Sequence, residues 1–303
     1  MEKTLIEIKD QAEAEFNQEH YHQAAGLFVT VYQEEQTLTL NRQLVLALKE
    51  DQQYQLAKDY ASDFLSDYAQ HENLFLLYFD LLLQIQNFVS AQQWALQSPN
   101  QELIEGLLVQ IRDGERKAEN QQGQTLKTIA QHFYHLSDES MVAQQERYQQ
   151  ALHLPVATFV TGAKFLLVDP FASPLMRSTL LSDLQELGET GVVTYQWLDQ
   201  ERHQIDLQAI SPVFTNQIFQ KLVAALDDQV GQEDPIAYQA LFDQLRLEAM
   251  LLFPRLEESI LDAMAWVDAD LSAFYQEQAP EEETKQKQVH DLVLQALAEL
   301  AGQ

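Results

Sequence analysis

The sequence contains no cysteine among its 303 residues. This absence excludes disulfide bonds, thiolate nucleophiles and cysteine-ligated zinc or iron–sulfur sites. Residues 1–10 also lack the basic start and the apolar run of a secretory signal peptide. Both observations predict a protein of the reducing cytoplasm.

Basic residues are scarce: 18 lysines and arginines stand against 47 aspartates and glutamates, which gives a formal net charge of −29. Such a surface repels a phosphate backbone or an anionic bilayer, so nucleic acid and membranes are predicted not to be partners. The most apolar run, residues 74–85, contains Asp80 and is shorter than the roughly 18 residues of a membrane span.

Glycine is also scarce, with nine residues in the chain, and no glycine-rich phosphate loop or Gly-x-Ser-x-Gly elbow is present. The pairs His20/His22 and His132/His135 have no His-Glu-x-x-His context, so we expect solvated histidines and no metal site. Carboxylate pairs such as Asp268 and Asp270 are too common in this chain to indicate a site. The sequence therefore predicts a protein that is not an enzyme and holds no cofactor.

One short pattern, an aromatic residue followed three positions later by alanine, occurs three times near the N-terminus. It occupies Tyr21–Ala24, Tyr54–Ala57 and Phe88–Ala91. Successive aromatic residues are 33 and 34 positions apart, which matches the roughly 34-residue period of a helix-turn-helix repeat. Apolar residues at steps of three and four on both sides predict paired helices. The alternative is a helical bundle in which the aromatic–alanine pattern recurs by chance. Two intervals that agree within one residue favour a repeat.

This pattern resembles the tetratricopeptide repeat family. The resemblance implies an all-α fold, a right-handed α-α superhelix of helical hairpins, over a first domain of residues 1–155. The family's Leu-Gly pair would fall at Gln11–Ala12, Leu44–Val45 and Tyr78–Phe79, where no glycine stands, so the repeats are degenerate.

The second predicted domain, residues 156–303, is organised differently. A short polar residue followed by proline marks several helix starts in the chain, as at Ser173–Pro174 and Asp234–Pro235. Alternation over residues 192–207 predicts one small β-hairpin, whose face of Val193, Tyr195 and Trp197 should be covered by a neighbouring helix at 173–187. Beyond residue 97 the predicted helices are 98–119, 124–136, 139–153, 155–167, 173–187, 211–228 and 235–252.

The layout of residues 169–188, followed by a hairpin around Trp197, is similar to the C-terminal part of uncharacterised tetratricopeptide proteins of Gram-positive bacteria. That resemblance implies lineage and fold but no activity. At the C-terminus, an apolar stripe from Val289 to Leu300 predicts a capping helix over residues 280–301. The alternative is that this helix docks on a second copy or on another partner.

Under the family alignment, the first helix of each pair lines a concave groove. The predicted peptide-binding positions in it are Lys9, Asn17, Arg42, Lys49, Asn73 and Gln84. The three cations would form a positive floor for a carboxylate or an acidic peptide segment, whereas the alternative is ordinary ion pairing, for instance between Lys9 and Glu13. Glu13 and Leu46 stand where the family's chaperone-tail-binding members place asparagines, so that specificity is not implied.

Three classes of function remain open from the sequence. The first is a non-catalytic protein–protein interaction or scaffold module that binds a peptide segment in the groove. The second is a self-assembling structural or accessory subunit, which could be a homodimer, using the C-terminal helix or the hairpin. The third is an enzyme with a site between the two halves, near Tyr134, His135, Trp197 and His203.

Overall fold

The computed structural model describes residues 4–231, 233–276 and 283–301. Helices account for 76% of the described residues, whose β-structure is one small antiparallel hairpin. The mainly helical fold with one hairpin is therefore confirmed. The chain forms two compact units, the first from residues 1–129 and 150–156 and the second from residues 130–149 and 157–303. The predicted domain boundary after residue 155 stays a prediction.

The first unit consists of consecutive helices that pack as antiparallel hairpins. Its helices are α1 (Leu5–Asn17), α2 (Tyr21–Glu34), α3 (Leu38–Glu50), α4 (Tyr54–Ser62), α5 (Leu65–Gln70), α6 (Glu72–Gln84), α7 (Phe88–Leu96) and most of α8 (Gln101–Tyr134). Helices α1 and α2, α3 and α4, and α6 and α7 form the three predicted pairs, and α2 also packs on α3. This succession is compatible with a helical-repeat fold. The short helix α5, which the sequence pattern did not predict, lies between the second and third pairs.

The three repeated alanines occupy equivalent sites. Ala24, Ala57 and Ala91 each lie in the first turn of the second helix of a pair, and each is 0% exposed. The aromatic residue of each repeat is the first residue of that helix. A methyl side chain at this position leaves little between the two helix backbones, which explains why a small residue recurs there.

The turn inside each pair also repeats, down to its backbone conformation. Glu19, Gln52 and Gln86 have positive φ of 63°, 61° and 58°. In the first turn the amide of Glu19 donates to the Phe16 carbonyl, and the amide of His20 donates to the Glu15 carbonyl, both at 3.0 Å. The other two turns contain the same pair of bonds, which is the Schellman arrangement that ends many helices. The repeat is therefore visible in the main chain as well as in the sequence.

Glutamine is a costly residue at these left-handed positions, where glycine is the usual choice. We therefore expect Gln52→Gly to raise the free energy of unfolding by about 1 kcal/mol, measured by urea denaturation of the first unit's transition. The matched control is Gln55→Gly at the exposed second residue of α4, where glycine costs helix propensity and removes the bond from Gln55 to Asp59. This change should lower the free energy of unfolding by about 0.5–1 kcal/mol. A loss at both positions would contradict the prediction.

The predicted break between helices at 98–119 and 124–136 is present inside α8. Two helical segments meet there at a kink at Gln122, where φ is −132° and ψ is 23°. Gly123 follows directly, and a glycine beside the kink lowers the cost of the irregular backbone. Residues 150–156 return to the first unit, where the amide of Val156 donates to the Glu115 carboxylate at 2.7 Å.

The second unit contains the remaining helices and the hairpin. Its helices are α9 (Met141–Ala151), α10 (Val156–Leu166), α11 (Pro174–Glu186), α12 (Gln217–Val230), α13 (Pro235–Leu252), α14 (Leu256–Ser259), α15 (Ala263–Phe274) and α16 (Thr284–Ala301), apart from the few residues that belong to the first unit. Helix α12 starts later than the predicted residue 211, because residues 213–215 form a short 3-10 turn and the Asn216 side chain caps the helix. The sequence analysis did not predict α14 and α15.

The predicted hairpin is present as β1 (Val192–Gln196) paired antiparallel with β2 (Arg202–Asp206). Val193, Tyr195 and Trp197 are buried, as predicted. Tyr195 and Trp197 share the lining of a narrow cavity with Arg177, Ser178 and Leu181 of α11. The indole nitrogen of Trp197 also donates to the Leu252 carbonyl at 3.3 Å. The hairpin is thus held by both α11 and the end of α13.

The C-terminal helix α16 packs on α13 and α14 of its own chain. Val293, at the centre of its apolar stripe, is 0% exposed. The Gln286 side-chain oxygen accepts the amides of Leu261 and Asp262, both at 2.8 Å. Residues 280–282 of the predicted capping helix lie outside the described residues. Within the part of the chain that the structure describes, no helix is both long and apolar enough to cross a bilayer.

Candidate functional site

A cavity of about 230 Å³ opens between the first three helices. It has an apolar part and a polar part. Its lining consists of Glu13, Phe16 and Asn17 of α1, Phe28 of α2, and Gln43 and Leu46 of α3. Phe28 is only 1% exposed, so its buried ring closes the inner end of the cavity. Glu13, Asn17 and Leu46 are positions that the repeat alignment assigned to the groove.

Acceptor atoms dominate the polar part of this α1/α3 cavity. The Gln43 side-chain amide donates to the Glu13 carboxylate at 2.9 Å, which leaves the Gln43 carbonyl oxygen. That oxygen is buried and has no hydrogen-bond partner among the described residues. A buried acceptor without a donor costs about 1–3 kcal/mol, and a ligand relieves that cost only when the Gln43 side chain turns its oxygen toward the cavity. The lining contains one carboxylate and no cation.

A second cavity, of about 450 Å³, lies between α6, α7 and α8. Its lining is mostly polar and includes Asp80, Gln84, Gln110, Asp113 and Lys117. The helices approach closely here because Gly114 has no side chain: a Cβ at this position would lie 3.0 Å from Cε1 of Phe88. The first cavity has apolar walls, whereas the lining of the second cavity is mostly polar.

The predicted peptide-binding residues are partly brought together. Asn17 lines the α1/α3 cavity and Gln84 lines the second cavity. Lys49 on α3 forms an ion pair with Asp80 on α6 at 2.7 Å, and Gln84 donates to the other oxygen of Asp80 at 3.2 Å. Lys49 and Gln84 thus meet at one carboxylate, and the charge of Lys49 is matched.

The other predicted binding residues lie apart from these cavities. Lys9, Arg42 and Asn73 are on α1, α3 and α6 and line neither cavity. No ion pair joins Lys9 to Glu13 among the described residues, and Glu13 instead accepts from Gln43. The predicted positive floor therefore retains Lys9 and Arg42 as cations whose charges are not matched by an ion pair in the described part of the chain.

The four residues considered for an enzyme site all belong to the second unit. Tyr134 and His135 line an open cavity of about 670 Å³, with Phe165 and Asp169. Trp197 lines the narrow cavity beside α11 instead. The structure therefore does not gather the four side chains around one cavity.

His203 is held by partners on both ring nitrogens. Arg255 donates to Nδ1 at 2.8 Å, and Nε2 lies 2.9 Å from the Asp199 carboxylate. The Arg255 guanidinium also lies 4.8 Å from the centre of the Trp197 ring. A neutral imidazole that accepts a hydrogen bond at Nδ1 has its N–H at Nε2. That N–H donates a hydrogen bond to the Asp199 carboxylate. Neither nitrogen is left to act as a general base.

The core of the second unit contains a buried polar network that spans α13, α15 and α16. Glu248, Asp270 and His290 are 0%, 3% and 3% exposed. The imidazole Nε2 of His290 lies 3.1 Å from the Asp270 carboxylate, and the Trp266 ring stacks on the imidazole at 4.0 Å. The Trp266 indole donates to Glu248 at 2.8 Å.

Gln244 completes the network by donating to both carboxylates, at 2.7 Å to Glu248 and 3.1 Å to Asp270. Desolvation by burial, followed by the nearby charge of Asp270, raises the pKa of Glu248 to about 8. Ligand-type atoms of the two acids and His290 all lie within 4.8 Å of one another. Gln244 and Trp266 donate to Glu248, while Gln244 and His290 both reach Oδ1 of Asp270. The same three residues have the types and spacing of metal ligands, so the prediction of no metal site stays a prediction.

Sequence reasoning missed this network because its members are far apart in the chain. A signal was nevertheless present. Leu241, Leu245, Glu248 and Leu252 follow one another at steps of three and four, so Glu248 stands on the apolar stripe of its helix. A carboxylate at a core position of such a stripe indicates a buried and partnered acid.

Comparison of the chain with protein-family models, with curated proteins and with solved structures found no match. The helical-repeat architecture therefore rests on the packing and the repeated turns described above.

Proposed function

We propose that the chain is a non-catalytic protein-interaction module of the degenerate tetratricopeptide type. Its first unit would form a right-handed α-α superhelix and hold a partner's peptide segment along the predicted groove. The observation that carries this proposal is the α1/α3 cavity. It lies where the repeat alignment placed the groove, and it combines aromatic walls with hydrogen-bonding groups, as peptide-binding sites do.

Features of both units support this function over the two alternatives. Helix α16 buries the centre of its apolar stripe against its own chain, which weakens the case for assembly through that helix. His203, one of the four residues considered for an enzyme site, has partners at both nitrogens. Asn17 and Gln84, two of the predicted binding residues, each line a cavity of the first unit.

We expect Leu46→Trp to weaken partner binding about tenfold or more, because the larger side chain would fill the cavity next to Phe28 without changing its charge. The matched control is Leu65→Trp on α5, where leucine is 38% exposed and lines neither cavity. Each variant would be compared with the wild type in affinity capture from cytoplasm. Equal recovery of the same partners by both variants would contradict a groove that includes this cavity.

Site-specific photo-crosslinking locates the partner directly. A benzoylphenylalanine residue in place of Asn17 or Gln84 should crosslink to the partner segment, whereas the same residue in place of Thr30, which is exposed on α2, should not. Crosslinking at Thr30 alone would place the partner on the opposite face.

A further inference from the structure

We infer that the α1/α3 cavity receives a basic side chain, arginine in preference to lysine, from the partner segment. This inference rests on the proposed function and adds the chemistry of the anchor residue. The positive floor predicted from the sequence requires the opposite partner, an acidic segment, so the two hypotheses make opposite predictions for one set of peptides.

The shape of the cavity matches a side chain with an apolar stem and a polar head. Phe16, Phe28 and Leu46 supply the apolar walls, along which the methylene groups of an arginine would lie. Phe28 closes the floor at 1% exposure. A short polar side chain would leave these walls unfilled, and a wholly apolar one would leave the acceptors without a donor.

The polar part of the cavity favours a ligand that donates hydrogen bonds. The Glu13 carboxylate accepts one hydrogen bond among the described residues, from the Gln43 side-chain amide, so it can accept further bonds from a ligand. The Gln43 carbonyl oxygen is buried without a partner, and a ligand reaches it only when that side chain turns toward the cavity. A guanidinium has five N–H donors in a planar fork, so it can bond both oxygens of a carboxylate. An ammonium has no such fixed geometry, and a carboxylate from an acidic segment would be repelled by Glu13.

The charge of the whole chain acts in the same direction. With a formal net charge of −29, the protein attracts a basic segment and speeds its encounter. The cations that were predicted to receive an acidic segment are weaker candidates: Lys49 is neutralised by Asp80 at 2.7 Å, and Lys9 and Arg42 do not line the cavity.

The test uses four fluorescein-labelled decapeptides with one common sequence and a central arginine, lysine, leucine or glutamate. Binding to the full chain would be measured by fluorescence anisotropy at low and physiological salt. We expect the arginine peptide to bind at least tenfold more tightly than the glutamate peptide, and more tightly than the lysine and leucine peptides.

Variants assign that preference to the cavity. Glu13→Gln and Gln43→Leu should each reduce the arginine-over-leucine ratio severalfold, and Glu13→Lys should reverse the preference between the arginine and glutamate peptides. The matched control is Asp10→Asn, which removes the same charge from an exposed residue of α1 outside the cavity and should leave the ratio unchanged. Circular dichroism would verify that each variant is folded.

The outcomes separate this inference from the proposed function. A glutamate preference that is lost in Lys9→Glu or Arg42→Glu overturns the inference and favours an acidic segment, while the groove function stands. Equal binding of all four peptides, unaffected by Glu13→Gln, also overturns it. The groove function itself fails if, in addition, no partner crosslinks at position 17 or 84.

Discussion

Raising the pH from about 5 to about 8 should lower the free energy of unfolding of the second unit by on the order of 1.4 kcal/mol per pH unit through Glu248 alone. The variant Glu248→Gln should lack this loss. At pH 5 the two proteins should be nearly equal in stability, because glutamine and a protonated glutamate have the same size and both are neutral. At pH 8 the variant should be the more stable protein.

The sign follows from the proton count in the two states. Burial and the charge of Asp270 raise the pKa of Glu248 to about 8 in the folded chain, against an ordinary value of about 4.3. Between these values the folded state binds a proton that the unfolded state has released, so stability falls as pH rises. The contribution is complete below the ordinary value and is lost as pH passes through 8.

Urea denaturation at pH 5, 6, 7 and 8, followed by tryptophan fluorescence, measures this effect. The informative quantity is the difference between wild type and variant, since many other carboxylates titrate in both proteins. Asp243→Asn, on an exposed face of α13, should leave the wild-type pH dependence intact. Parallel pH profiles for wild type and Glu248→Gln would show that Glu248 titrates normally.

The substitution Gly162→Ala should destabilise the second unit by about 1–3 kcal/mol. An added Cβ would lie 2.6 Å from Cδ1 and 2.8 Å from Cε1 of Phe133. Phe133 is 0% exposed and stacks on Phe159 at 5.1 Å, so its ring cannot swing aside without disturbing the core. The clash therefore outweighs the higher helix propensity of alanine.

The control for this prediction is Gly106→Ala in α8, where an added Cβ meets nothing within 4 Å. There the higher propensity of alanine should act alone and stabilise the chain by about 1 kcal/mol. Thermal unfolding of both variants gives the comparison. Stabilisation by both substitutions would mean that Phe133 has room to move and that α10 does not depend on the close approach.

The features predicted from the sequence are those that local chemistry determines. The spacing of Ala24, Ala57 and Ala91 predicted three helix pairs because each pair must repeat its own close contact. The alternation through Val193 and Tyr195 predicted the hairpin, and Asp234–Pro235 predicted the start of α13 at the residue where it begins. Each of these signals lies within a few residues of the structure that it predicts.

The features that escaped prediction depend on residues distant in the chain. Glu248, Asp270 and His290 meet only through the packing of three helices, and no spacing among them indicates this. The start of α12 was placed too early because Ser211–Pro212 resembles a helix cap, whereas the capping residue is Asn216. The α1/α3 cavity depends on Phe28 of α2, whose position in its lining follows from packing.

The hydrogen bonds from the amides of Leu261 and Asp262 to Gln286 form late in synthesis, because Gln286 lies on α16, which follows them in the chain. The ribosome releases α13 and α15 before α16, so Glu248 and Asp270 leave it without His290 as a neighbour. Until α16 emerges, the backbone amides of Leu261 and Asp262 lack their acceptor and the two acids remain open to water. The second unit can therefore complete this part of its core only after α16 has emerged from the ribosome.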